Sequence, residues 1–239
     1  MSLSPEEKGR VVKLLREYLD ASENGKSLVQ IRAAEDHRRA ELENSEVKPL
    51  VESYLNGRTP LADFKSTHNG IHVRHPMWGF LAWHGQVFFN MVEKVAKKAH
   101  QAAECDREIK AAIVVPADEN AARNQIRTFA RFVCRLGEAH VQAGGSKPES
   151  PREGSVPFFQ SYFWNIQDPT WPIYYTNDVK MTADLNLWQP TNDHAENYIA
   201  FKHVFEKLAT LFTDEAGMAF DFRGVSSVFW LKGGNPLDS

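Results

Sequence analysis

The sequence predicts a mainly α-helical fold with a small β component, an α+β class domain built round an aromatic-rich core. Apolar residues return at helical spacing over most of the chain, capping residues and glycines bracket those stretches, and 15 Phe, 6 Trp and 6 Tyr among 239 residues supply bulky core material. With 28 basic and 31 acidic side chains the net charge is −3, and 42% of the chain is hydrophobic. That composition excludes a disordered, collagen-like or disulfide-scaffold polypeptide. No run approaches the ~20 apolar residues of a membrane span, and MSLSPEEKGR has no apolar secretory core. The expected setting is cytoplasmic, without a membrane partner, and there Cys105 and Cys134 are expected as free thiols.

The first helix opens at Ser4-Pro5-Glu6-Glu7, where serine caps, proline fits the first position and the acids suit the positive end. Val11, Val12, Leu14, Leu15, Tyr18 and Leu19 form its apolar face. A charged second helix is expected over 27–42 and a third over 47–55, stopped by Asn56-Gly57. Pro60, Gly70 and Pro76 then break the pattern, so 58–79 reads as a loop with one helical turn at 61–65. A helix follows over 84–103, buried in its first half. The clearest helix starts at Asp118-Glu119-Asn120 and ends before Gly144-Gly145; Ile126, Phe129, Phe132, Val133 and Leu136 line one side of it. GGSKPESPREG reads as a linker, which divides the chain into a helical region 1–145, a loop 146–155 and an aromatic-rich α+β region 156–239, packed as one unit. Residues 156–175 can be strands or a buried helix. Asp193 caps a helix over 195–212, and the alternation at Val225, Val228 and Trp230 suggests a short strand.

Arg123, Arg127, Arg131 and Arg135 stand at i, i+4, i+8 and i+12 opposite that helix's apolar side. Guanidinium groups so spaced could follow phosphates through bidentate hydrogen bonds, with Lys94, Lys97 and Lys98 adding charge; the competing reading is a solvated helix face. Trp164, Trp171 and Tyr174 offer stacking surfaces for an extruded base or another flat ligand, against the plain alternative of core packing. His68, His72, His75 and His84 invite a metal reading. Gly70 and Pro76 argue against a regular helix presenting two of those rings, and no cysteine or carboxylate cluster completes a set. Asp178, Asp184 and Asp193 with Lys180 form too short a pattern for a nuclease site. Nucleophile-elbow, Walker, zinc-hydrolase and dinucleotide motifs are missing from the sequence. No catalytic residue, cofactor or metal site is expected.

Trp78-Gly79-Phe80 with Gly85-Gln86-Val87-Phe88-Phe89-Asn90, then Ser161-Tyr162-Phe163-Trp164, Asp168-Pro169, Trp171-Pro172-Ile173-Tyr174-Tyr175 and Leu185 to Trp188 carry a resemblance. Over residues 60 to 210 the chain resembles the region preceding the AAA+ motor in McrB-type restriction NTPases. The resemblance implies a recognition role in a prokaryotic restriction or antiviral defence system, acting on modified or foreign DNA, with an AAA+ motor or nuclease subunit in cis or trans. The motor's own hydrolysis does not carry over, because this chain has no Walker motif. The expected function is therefore nucleic-acid recognition, with a protein-assembly domain and a metal-dependent hydrolase as alternatives.

Overall fold

The computed structural model describes residues 3–75, 80 and 83–233, without the side chains of 231–233. Helix α1 (Pro5–Asp20) begins with a reciprocal cap: the Glu7 amide donates to Ser4 Oγ at 3.3 Å and the Ser4 amide to the Glu7 carboxylate at 2.6 Å. A two-residue hairpin follows, β1 (Ser22–Glu23) against β2 (Lys26–Ser27), turned by Asn24 and Gly25 at φ 50° and 77°. Two positive φ angles in an Asn-Gly loop make the primed turn that suits strand twist. This hairpin is the β component found among the described residues; the aromatic segment, open in sequence between strands and a buried helix, is helical over Val156–Gln167, and the tail, where a short strand was suggested, is helical.

Helix α2 (Leu28–Leu42) leads through a π-type turn at Glu43–Val47 into α3 (Lys48–Leu55), which stops at Gly57 with φ 73°. Most of the described part of the loop expected over 58–79 is instead a 14-residue helix, α4 (Leu61–Arg74). Pro60 precedes this helix and does not interrupt it, and Gly70 costs only about 1 kcal/mol. The side chains of Phe64, His68, Ile71 and His72, at i, i+4, i+7 and i+8, are all buried. Counting the two histidines as polar hid that stripe in the sequence. Residues 76–79, which include part of the resemblance motif, lie outside the described residues.

The single helix expected over 84–103 is divided. A π-type turn at Trp83–Val87 runs into α5 (Phe88–Lys98), His100 takes φ 57°, and α6 (Ala102–Ile113) begins afresh. Helix α7 (Glu119–Gln142) follows the expected bounds, with Asp118 accepting from the Ala121 amide at 2.7 Å and Gly144 at φ 84° closing it. Short 3₁₀ turns occupy Lys147–Glu149 and Glu153–Ser155. Then come α8 (Val156–Gln167), α9 (Thr176–Asp184), α10 (His194–Ala216) and α11 (Phe222–Gly233). Asp193 caps α10 as expected, accepting from the Ala195 amide at 2.8 Å. The tail is a helix and not a strand: Asp221 accepts from the Gly224 amide at 2.8 Å, and Val225, Val228 and Phe229, buried at i, i+3 and i+4, set its core face.

The chain forms two compact units, one of Met1–Glu41, Tyr174–Asn192 and Asn197–Ser239, the other of Leu42–Ile173 and Asp193–Glu196. The segment read as a linker falls inside the second unit, with Ser150 and Ser155 buried. In the first unit α11 packs on α1 and α9. The second is centred on α8, whose residues from Val156 to Ile166 are buried on every face. Its polar residues finish another helix: Gln160 Nε2 and Trp164 Nε1 donate to the Ala112 carbonyl at 3.2 and 2.9 Å, and Gln167 Nε2 to that of Ile113 at 2.7 Å. The last carbonyls of a helix have no partner inside it. Helix α8 supplies partners for α6 while filling the core.

Candidate functional site

Three of the four row arginines are engaged by carboxylates. Arg123 Nε donates to Glu196 at 3.1 Å, Arg127 donates to Asp193 and Glu196 at 2.7 Å each, and Arg135 donates to Glu104 at 2.9 Å. Hydrogen bonding to Asp193 raises the Arg127 pKa above its ordinary value, and the same bond holds the Asp193 carboxyl below its own. A phosphate would have to displace these acids. Arg131 is different: it is exposed and donates to Thr128 Oγ1 at 3.3 Å. On α5, Lys97 pairs with Glu93 at 2.6 Å, and Lys65 pairs with the same carboxylate from α4, whereas Lys94 and Lys98 are exposed. The partner acids Glu104, Asp193 and Glu196 are far from the arginines in sequence, so helical spacing alone could not reveal them.

The three stacking candidates are divided between the two units. Trp164 and Trp171 are buried edge to face, with centroids 5.7 Å apart. Tyr174 belongs to the other unit, where its ring meets Phe201 at 5.0 Å and Tyr198 at 5.9 Å. Among the described residues the exposed indole is Trp83, at 53%, in the turn before α5; Val73, at 70%, is exposed on α4. Trp83 stands just before the helix expected over 84–103, whose first half the sequence pattern predicts to be buried. The backbone beside it is tightly folded, with the Gln86 amide donating to the Phe80 carbonyl at 2.7 Å. A Cβ at Gly85 would come within 2.4 Å of that carbonyl oxygen. A cleft of about 180 Å³ between α6 and α7, lined by Ala112, Gln125, Thr128 and Phe129 among others, is smaller than ordinary ligand pockets.

The acids weighed for a hydrolase are occupied elsewhere. Asp178 is sealed in the first unit, accepting from Ser226 Oγ at 2.6 Å and Trp230 Nε1 at 3.2 Å, and burial pushes its carboxyl up to about 7. Asp184 pairs with Lys180 at i, i+4, and Asp193 caps α10. Cys134 gains no activation from the arginines around it: burial, reinforced by a hydrogen bond to Glu153, pushes its thiol up to about 11. His84 Nδ1 meets Ser155 Oγ at 2.9 Å.

Among the described residues no three His, Cys, Asp or Glu side chains gather as a metal set. The regular helix α4 nevertheless brings His68 and His72 to one side, which the sequence reading argued against. Both are fully buried, with centroids 4.6 Å apart, and both face one phenol from α8. Tyr162 Oη is 2.7 Å from His72 Nε2 and 3.3 Å from His68 Nε2. Phe80 lies against the two imidazoles at 5.1 and 4.4 Å, and Phe163 against His68 at 5.2 Å. Burial drives the His68 pKa well below its ordinary value. Tyr162 entered the sequence reading only through its aromatic motif; the Phe64, His68, Ile71 stripe was the signal that could have joined it to the histidines.

The chain matches no family model, no curated protein and no solved structure.

Proposed function

We propose that the chain is a non-catalytic recognition module of a restriction or antiviral defence system, and that it docks on a protein, the AAA+ motor or nuclease subunit of that system. The exposed Trp83 carries this reading. An indole more than half in water, with Val73 also exposed in the same unit, is the kind of side chain that anchors protein interfaces. The resemblance of residues 60 to 210 to the pre-motor region of McrB-type NTPases supplies the partner class. The test is co-expression with the motor and nuclease subunits of such a system, followed by size-exclusion chromatography with light scattering. Wild type should form a complex, and W83A should weaken it by roughly 30-fold or more while keeping its helix content. No complex, or one indifferent to Trp83, overturns the reading.

A second reading, nucleic-acid recognition, is favoured by exposed Arg131, Lys94 and Lys98. Phosphate binding releases counterions and weakens steeply with salt. Saturable, salt-sensitive anisotropy with duplex or single-stranded DNA, reduced in a triple R131A/K94A/K98A variant, would establish it; flat titrations would dismiss it.

A further inference from the structure

The imidazole pair on α4 and the phenol on α8 have a chemistry that docking does not use. Two imidazoles and a phenol in a phenylalanine cluster carry a desolvation cost that Leu or Phe would avoid. The His68 Nδ1 atom is buried and makes no hydrogen bond, so the polar contacts of that ring lie on its Nε2 side, toward Tyr162. Histidines at i, i+4 on a helix project together and can hold one ion. Metal bonds to nitrogen and oxygen of about 2.0–2.2 Å, at angles near 90–110°, place neighbouring donor atoms roughly 2.8–3.5 Å apart. The phenol oxygen stands 2.7 and 3.3 Å from the two Nε2 atoms, two of the three donor separations an ion would need and both close to that range, and the two imidazole centroids are 4.6 Å apart.

We propose that His68 Nε2, His72 Nε2 and Tyr162 Oη form a binding site for one late first-row divalent transition ion, with copper(II) the strongest binder. Imidazole donors suit this group of metals, and the general affinity order peaks at copper. Binding forms two metal–nitrogen bonds and one metal–oxygen bond and breaks the Tyr162 O–H bond, whose proton leaves to solvent. The phenolate cancels one of the ion's two charges, and Phe64, Phe80 and Phe163 surround the remainder with ring faces and edges. The bound ion ties α4 to α8 and gives the second unit a cross-link.

The experiment is titration of the full chain with copper(II), and separately with zinc(II), in the presence of a weak competing chelator. Expected for copper are one tightly bound equivalent, one proton released per ion and a visible phenolate-to-copper charge-transfer band. Y162F removes one oxygen; it should abolish both the band and the proton release and weaken binding at least about tenfold, with circular dichroism unchanged. H72Q should lose the site, and H37Q, altered at an exposed histidine of α2, should bind like wild type. Absence of a tight equivalent overturns the proposal, as does copper binding with no charge-transfer band or binding that Y162F leaves intact. Because Y162F keeps the ring, a misfolded H72Q protein would still leave the question decided.

Discussion

Each unit of the molecule buries an ionisable group whose pKa burial shifts strongly, and the two groups have opposite charge types. In the first unit Asp178, on α9, accepts hydrogen bonds from Ser226 and Trp230 of α11, and burial lifts its carboxyl from 3.8 to about 7. In the second, His68 lies among phenylalanines, and burial, helped by His72, depresses its imidazole well below 6.5. Desolvation disfavours the charged form in both cases, yet the consequences for stability have opposite signs. The folded first unit holds a proton that the unfolded chain has released, so its contribution is complete below pH 3.8 and is lost as pH rises through about 7. The folded second unit refuses a proton that the unfolded chain accepts, so its contribution is complete above pH 6.5 and is lost as pH falls below it. Charge type, not depth of burial, decides which unit suffers in acid and which in base.

The largest effect expected is from D178N. The amide mimics the protonated acid, accepting from Trp230 and donating to Ser226. At pH 8 it should therefore stabilise the first unit by up to about 4 kcal/mol, taken from a folded value of about 7, and by nothing near pH 3.5. Hydrogen exchange of α9 and α11 amides reads this; an equal gain at both pH values would break the contrast. Next, α4 and α8 amides should lose protection by about tenfold per pH unit below pH 6.5, and H68L should move that loss to lower pH. If H68L is as acid-sensitive as wild type, His68 is not the group responsible. W164F replaces the indole by a smaller ring and removes one of the two donors to Ala112, and the lost hydrogen bond and the void together should cost the second unit about 1–3 kcal/mol at every pH in urea unfolding. The smallest effect is expected for R127A, since its pairs are exposed: the melting temperature should be unchanged, and a clear drop would mean that the arginine row is a structural clamp.

Helices whose ends carry local chemistry were legible. Ser4 with Glu7, Asp118, Gly57, Gly144 and Asp193 mark ends that depend on residues within one turn, and all act as expected. The errors came from residues whose polarity disagreed with their position. His68 and His72 are core residues that do not extend an apolar stripe in the sequence, so the breaks signalled by Pro60, Gly70 and Pro76 outweighed the helix at α4. The Asn24-Gly25 pair, a strong hairpin signal, sat between helices and was overlooked. Helix α6 was missed because the break before it needs His100 in a left-handed conformation, which is uncommon for a residue other than glycine. For the candidate site, the arginine row was visible because it lies on one helix. Its acidic partners at 104, 193 and 196 were not, because pairings across tens of residues leave no period in the sequence. The His68–Tyr162–His72 group lay hidden for the same reason.

The capping of α6 by α8 has a consequence for the order in which the chain assembles. The Ala112 and Ile113 carbonyls receive their donors from Gln160, Trp164 and Gln167, side chains 48 to 54 positions downstream. During synthesis α6 therefore leaves the ribosome with its last turn frayed and wetted, and stays so through the making of the whole of α7. Only when the aromatic helix arrives do the waters depart and the hydrogen bonds close, so the end of α6 is finished by the most apolar segment of its unit.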